Sequence, residues 1–279
     1  MTASSGPSTS ENPSLVIDRC EGIASVQLNR PAAANALDAG LWWSLASAFA
    51  EIDTDPSVRV VVLSGAGRHF CAGIDLQMLD DFSTVADDPC AGRGSEALLD
   101  RIIELQRAVS AIEGCRTPVI AAISGACIGA GLDIAAACDV RLAAADARFC
   151  LKEVDLGVTA DVGVLQRLPR IIGEGLAREL ALTARTVDAQ EARAIGLVTG
   201  VSDDRDGVLA SARELAATIA ARSPLAVRGT KRALNFARDH PIGDGLEQVA
   251  LWNAATLLSA DLAESLAAAR DRRTPTYRD

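Results

Sequence analysis

Three carboxylates, Asp133, Glu153 and Asp161, follow a glycine-rich turn, Gly129-Ala130-Gly131, in an otherwise apolar stretch of chain. Burying an ionised carboxylate without a partner costs several kcal/mol, and the basic residues nearest in sequence, Arg141 and Lys152, are too few to neutralise all three. At least one acid is therefore expected to keep its proton near neutral pH. Clustered carboxylates raise one another's pKa and an apolar wall raises them further, so one can act as base while another acts as acid. A single acid in such a run is most often a solvated or capping group; three beside a glycine turn point to proton transfer.

Two backbone features offer to hold the negative charge that such chemistry develops. Gly129-Ala130-Gly131 opens a predicted helix, where free amides and the helix dipole favour an anion. Phe70-Cys71-Ala72-Gly73-Ile74-Asp75-Leu76 follows a predicted buried strand, and its small residues let backbone N–H groups approach a ligand. Alone, each is what an ordinary glycine turn looks like. Aimed at one point they form an oxyanion hole, contributing roughly 3 kcal/mol per donor to a reaction through an enolate or tetrahedral anion. Competing chemistries have little support. His69 and His240 are the only histidines, so a metal site built on several of them is not expected. Neither a Gly-x-Ser-x-Gly elbow, a Walker loop nor a Gly-x-Gly-x-x-Gly run is present.

The elements that must position these groups alternate. Leu15 to Asp18 and Ile23 to Asn29 suit a hairpin turned at Glu21-Gly22, Leu37 to Asp53 has helical spacing, and Val58 to Ser64 reads as a strand buried on both faces. A loop over Gly65 to Gly73, a helix over Ala97 to Glu113 and a second buried strand over Pro118 to Ser124 follow. Gly125 to Gly131 then turns into a helix ending near Cys138, ahead of short strands around Val140 and Phe149. Met78 to Leu99, rich in Asp with Pro89 and Gly92, reads in its first part as a mobile loop. From Gly173 the chain is chiefly helical: a helix capped at Asp188 with Glu191 runs to Ala194, and Arg205 to Ala221, Pro224 to Ala237, Gly243 to Ser259 and Asp261 to Arg270 are four more. The class is α/β, divided as a disordered N-terminal tail over 1–13, an α/β core over 14–202 and a helical region over 203–279.

Composition excludes several partners. The 279 residues are 49% apolar, enough for a substantial core. The formal net charge of −10, with 37 acidic against 27 basic residues, lacks the footprint of a nucleic-acid binder. Seven cysteines without Cys-x-x-Cys spacing read as reduced core thiols. The nearest approach to a membrane span, Pro118 to Ala137, holds three glycines and Asp133. Met1 to Pro13 has neither an apolar stretch nor Arg, so no leader is read there and a cytoplasmic location is expected.

The Asn29-Arg30-Pro31 turn, the Phe70 to Leu76 segment and the run from Pro118 to Gly125 into Gly129-Ala130-Gly131 resemble the crotonase, or enoyl-CoA hydratase/isomerase, superfamily over about residues 15 to 270. Lys152 to Asp155, Ala160 to Gly163 and Gln166 to Pro169 look most like its Δ3,5-Δ2,4-dienoyl-CoA isomerases. The resemblance implies a spiral of ββα units, a C-terminal helical region that builds trimers and commonly a hexamer, and an acyl-CoA thioester as substrate with no cofactor or metal. It implies further that the thioester oxygen receives the Ile74 and Ala130 amides, that Glu153 is the general base at the α-carbon, that Asp161 is the second acid/base and that Asp133 supports them. The family usually has Gly where this chain has Ala130. For the coenzyme, backbone around Asn29 to Ala36 and Arg68 to Ala72 is implied, including Ala72, with Arg30 and Lys231 as phosphate partners. The expected reaction is 3,5-dienoyl-CoA to 2,4-dienoyl-CoA in fatty acid β-oxidation. The alternatives are a 2-enoyl-CoA hydratase or enoyl-CoA isomerase using Glu153 and Asp133, and a non-catalytic acyl-CoA-binding scaffold.

Overall fold

The computed structural model describes residues 13–85 and 87–278, so the tail expected over 1–13 lies outside the described residues except for Pro13. The chain opens with the hairpin β1 (Leu15–Cys20) and β2 (Ile23–Leu28), then α1 (Ala39–Thr54), β3 (Val60–Gly65), α2 (Leu76–Val85) and α3 (Ala91–Gly114). The central part is β4 (Val119–Ile123), β5 (Ala126–Ile128), α4 (Ala130–Ala137), β6 (Val140–Ala144), β7 (Arg148–Cys150), α5 (Val164–Ile172) and α6 (Glu174–Thr183). It ends with β8 (Val187–Asp188), α7 (Ala189–Ala194), β9 (Gly200–Ser202), α8 (Arg205–Ala220), α9 (Pro224–Asp239), α10 (Ile242–Thr256) and α11 (Ala260–Asp271).

Among the described residues, nine strands form two sheets, one in the order β1-β2-β3-β4-β6-β9 and a smaller one in the order β5-β7-β8. Successive units give one strand to each sheet and then a helix: β4, β5 and α4, followed by β6, β7 and α5. This is the expected spiral of ββα turns. An isolated parallel bridge between Cys71 and Cys127 brings the segment after β3 alongside β5.

Alternation in the central strands explains how the large sheet is covered. Val61 and Leu63 of β3 and Val119, Ala121 and Ile123 of β4 join the main core with Leu45 and Phe49 of α1 and Val109 and Ile112 of α3. Their neighbours Val60, Val62, Ile120 and Ala122 face the other way, onto Val208, Ala212 and Ala216 of α8. Period-two side chains with an apolar residue at every step require a cover on both faces. The first helix of the C-terminal region thus closes the sheet sandwich, and α9 to α11 extend beyond it.

Two local readings are corrected. The first part of Met78 to Leu99, expected as a mobile loop, contains α2, and α3 starts at Ala91, ahead of the expected Ala97. Gly92 and Gly94 carry a helix penalty of about 1 kcal/mol each, yet Gly94 is buried in the first turn of α3, where a small side chain suits the packing. Gly125 to Gly131 is more than a turn, because Ala126–Ile128 pairs in parallel with β7. α5 carries Pro169 inside it, and that breaker hides the helix from a propensity reading.

Candidate active site

The segment from Gly73 to Asp75 is held as a single parallel rung. Leu37 N donates to Gly73 O at 2.8 Å and Asp75 N to Leu37 O at 3.0 Å. In a parallel bridge of this kind the residue between those two groups turns its own amide away from the partner, so the Ile74 N–H faces outward from the rung. Ala130 is the first residue of α4, and its amide precedes the helix's own ladder. Gly129 ahead of it has φ of +51°, a left-handed backbone that suits glycine.

These two segments and Glu153 meet. A Cβ placed on Gly73 would lie 3.9 Å from Ala130 N, and one on Gly129 would lie 3.2 Å from Glu153 Oε1 and 3.9 Å from the Cα of Gly73. A Cβ on Gly131 would clash with the Cys71 carbonyl, so glycine at that position lets α4 start against the Cys71 strand. The glycines of the two motifs are what allow the backbones to approach.

Asp133 is completely buried one turn into α4. Its Oδ1 accepts the Val164 amide at 2.6 Å, and its Oδ2 has no partner. Burial, reinforced by the charge of Glu153, raises its pKa to about 8 against the opposing pull of the Val164 amide and Arg167. Glu153 is half-buried on a 3-10 turn, Glu153–Leu156, with Oε2 unpartnered. Burial and then the charge of Asp161 push it above the usual carboxylate range. Asp161 is an exposed residue whose carboxyl is nevertheless raised by partial loss of solvent. It lines an open cavity of about 530 Å³ with Gln106, Gly163 and Arg167, and Gln106 donates to its backbone carbonyl at 2.7 Å. Asp161 also helps raise both Asp133 and Glu153, so the three acids form one electrostatic group with Asp161 at its solvent side.

The cations expected near the acids are engaged elsewhere. Arg141 donates to the carbonyls of Leu197 and Cys138, and Lys152 pairs with Asp155 at 2.5 Å. Lys231, only 6% exposed, donates to Asp139 at 2.7 Å and to the Thr117 carbonyl at 3.1 Å, tying α9 to the start of β4. A buried ammonium so engaged is not presented to a phosphate, and that expectation is withdrawn. Arg30 pairs with Asp38 at 3.1 Å and Asp75 at 3.0 Å and donates to the Ala36 carbonyl. It braces the chain on both sides of the Leu37 rung instead of standing free. Ala72, implied as a coenzyme contact, gives its amide to the Ala34 carbonyl at 3.0 Å.

The sequence reading missed Asn35 and Arg167. Asn35, buried with φ of +57°, accepts the Arg30 amide and donates to the carbonyls of Ala66 and His69, joining the turn before α1 to the loop after β3. Its signal was a lone amide side chain in an Ala-rich run, a residue type that tolerates left-handed backbone.

The raised Asp133 has a stability consequence. The folded carboxyl holds its proton more tightly than the unfolded one, so its contribution is complete below a pH of about 4 and is lost as pH rises through about 8. Asp133→Asn should flatten that dependence, melting several degrees above wild type at pH 8.5 with a smaller gap at pH 5, read by calorimetry across pH.

Comparison with known proteins adds to this geometry. Residues 18–279 match the family described as enoyl-CoA hydratase/isomerase. The chain is 46% identical over 251 residues to a peroxisomal Δ3,5-Δ2,4-dienoyl-CoA isomerase of Arabidopsis thaliana, covering 90% of each protein. It is 45% identical over 253 residues to the mitochondrial Δ3,5-Δ2,4-dienoyl-CoA isomerase of Homo sapiens, covering 90% of this chain and 77% of that one. A crystal structure of an enoyl-CoA hydratase from Bacillus anthracis superposes with a TM-score of 0.85 at 33% identity, covering 95% of this chain and 98% of that one. The organelle names overturn the expected cytoplasmic location: relatives this similar are named peroxisomal or mitochondrial.

Proposed function

The chain belongs to the enoyl-CoA hydratase/isomerase family, and on that premise we propose that Glu153, Asp161 and the amides of Ile74 and Ala130 move the double bonds of a 3,5-dienoyl-CoA into conjugation with its thioester. The activity is that of a dienoyl-CoA isomerase of fatty acid β-oxidation. Glu153 takes a proton from C2. The electron pair spreads over the diene into the thioester oxygen, and the resulting trienolate is held by the Ile74 and Ala130 amides in an oxyanion hole. Asp161, whose raised pKa lets it carry a proton, delivers that proton to C6. The bonds at C3=C4 and C5=C6 become C2=C3 and C4=C5. Glu153 ends protonated and Asp161 ionised, and exchange with water resets both.

Asp133 supports this by staying neutral. With a pKa of about 8 it holds its proton at neutral pH, so no fixed negative charge sits beside the developing enolate. The single observation behind the reading is the approach of Glu153 Oε1 to Gly129, beside Gly73 and the Ala130 amide. An ultraviolet scan with 3,5-octadienoyl-CoA tests it, since conjugation to the thioester changes the absorbance directly. Rapid hydration of crotonyl-CoA with no diene conjugation would transfer the assignment to a hydratase.

Arg30 acts here through the main chain, fixing the rung from which Ile74 projects. Arg30→Met should lower kcat by roughly 10- to 100-fold with little change in KM; a rise in KM alone would make it a coenzyme contact instead.

The assembly is a trimer, or a pair of trimers, built by the C-terminal helices. Ile242 is 83% exposed and Leu257 56%, and with Leu234 and Leu246 they border an apolar hollow of about 640 Å³ between α9, α10 and α11. Apolar surface of this extent on a lone chain calls for a partner. Sedimentation should give three or six times the 29.0 kDa of one chain.

A further inference from the structure

Arg167 lies on α5 six residues after Asp161, inside the Gln166 to Pro169 segment, and the resemblance gives it no role. Its side chain is 10% exposed. Nε and Nη2 both donate to Glu113 Oε2 of α3, at 3.1 and 2.9 Å, and Nη2 also reaches Ser110 Oγ at 3.3 Å. Nη1 reaches the Val162 carbonyl at 3.4 Å. The guanidinium lies so close over Gly163, at φ of +121°, that a Cβ there would overlap Nη1. It therefore presses on the turn that runs from Asp161 to Val164, and the amide at the end of that turn binds Asp133. The other oxygen of Glu113 is taken by Arg238 of α9, which closes the brace from the far side.

We infer that Arg167, braced by Glu113, is a positioning residue for the acid group: it fixes the Asp161 to Val164 turn and sets a positive charge near Asp133. The inference rests on the isomerase reading for its kinetic meaning and on the contacts above for its structural one. Arg141, Lys152, Lys231 and Arg30 are committed elsewhere, whereas Arg167 is close enough to Asp133 to oppose its rise. The charged groups facing this guanidinium are Glu113 from α3, Asp133 from α4, Asp161 from the preceding loop and, across the cavity, Arg170 of α5 with Arg238 and Asp239 of α9. Burial alone would raise Glu113, but Arg167 and Arg238 outweigh it and hold its carboxyl below the usual range, so the brace stays ionised. Lysine cannot replace the planar fork that meets a carboxylate edge and a carbonyl together.

The test uses the full chain with Arg167→Met, Arg167→Lys and Glu113→Gln, and two readouts. In the pH profile of kcat for diene conjugation, Arg167→Met should move the alkaline limb to higher pH, because Asp133, which the proposed reaction needs neutral, holds its proton more tightly without the cation that opposes its rise. Glu113→Gln unmasks the cation and should move that limb the opposite way. At neutral pH, Arg167→Met should lose roughly tenfold in kcat with KM nearly constant, and Arg167→Lys should keep the wild-type pH profile while losing rate. The second readout, carboxyl carbon NMR titration of Asp133 in ligand-free protein, should show the same opposite shifts. If Arg167→Met and Glu113→Gln alter only thermal stability and leave both profiles in place, the inference is overturned and Arg167 is a packing residue. If wild type fails to conjugate any diene, the isomerase reading falls, and the NMR titration alone decides the role of Arg167. If Arg167→Met does not fold, Glu113→Gln and Arg167→Lys decide it in the same way.

Discussion

Glu153→Gln lowers turnover of a 3,5-dienoyl-CoA by roughly 10²- to 10⁴-fold, the usual range for removing a positioned general base. The amide keeps the length of the side chain beside Gly129, so substrate affinity should change little and the loss should appear in kcat. Exchange of the C2 proton with deuterated water is expected to stop together with isomerisation, because both begin with the same proton abstraction. Mass spectrometry of recovered substrate reads the exchange, and absorbance reads the conjugation. If exchange persisted at the wild-type rate in Glu153→Gln, the base would have to be sought among Asp133 and Asp161.

Asp161→Asn divides the reaction at its midpoint. Conjugation should fall to background, a loss again of roughly 10²- to 10⁴-fold, while deuterium continues to enter C2, since Glu153 and the two amides still form and hold the enolate. Simultaneous loss of exchange and conjugation, or of neither, would refute this division of labour between the two acids.

The clustering of acids and glycine turns was legible because each contradicts its surroundings. Charge within an apolar run and glycine before a helix are local signals, and the structure brings Gly73, Gly129, Ala130 and Glu153 together accordingly. The buried strands were equally plain, since Val60 to Leu63 and Val119 to Ile123 are apolar on both faces. What a basic side chain does with its charge was not legible. Lys231 meets Asp139 across 92 residues and Arg167 meets Glu113 across 54, and no local pattern records such pairings. The resemblance offered Arg30 and Lys231 to a phosphate, and it does not record that Asp75 and Asp139, distant in sequence, pair with them. The depth of Asp161 was hidden for a similar reason: exposure depends on which helices stop short of it, and the chain around it is as apolar as that around Asp133.

The donors proposed at Ile74 and Ala130 belong to the main chain. No side-chain substitution deletes a peptide N–H except proline, so the anion cradle is inherited by any descendant that keeps the glycine-permitted approach of its two segments. Divergence toward new reactions on the same thioester is then written almost wholly in the acids: their number, reach and proton affinity can drift while the cradle endures. Relocating a single carboxylate should accordingly redirect this scaffold more readily than redesigning its coenzyme grip.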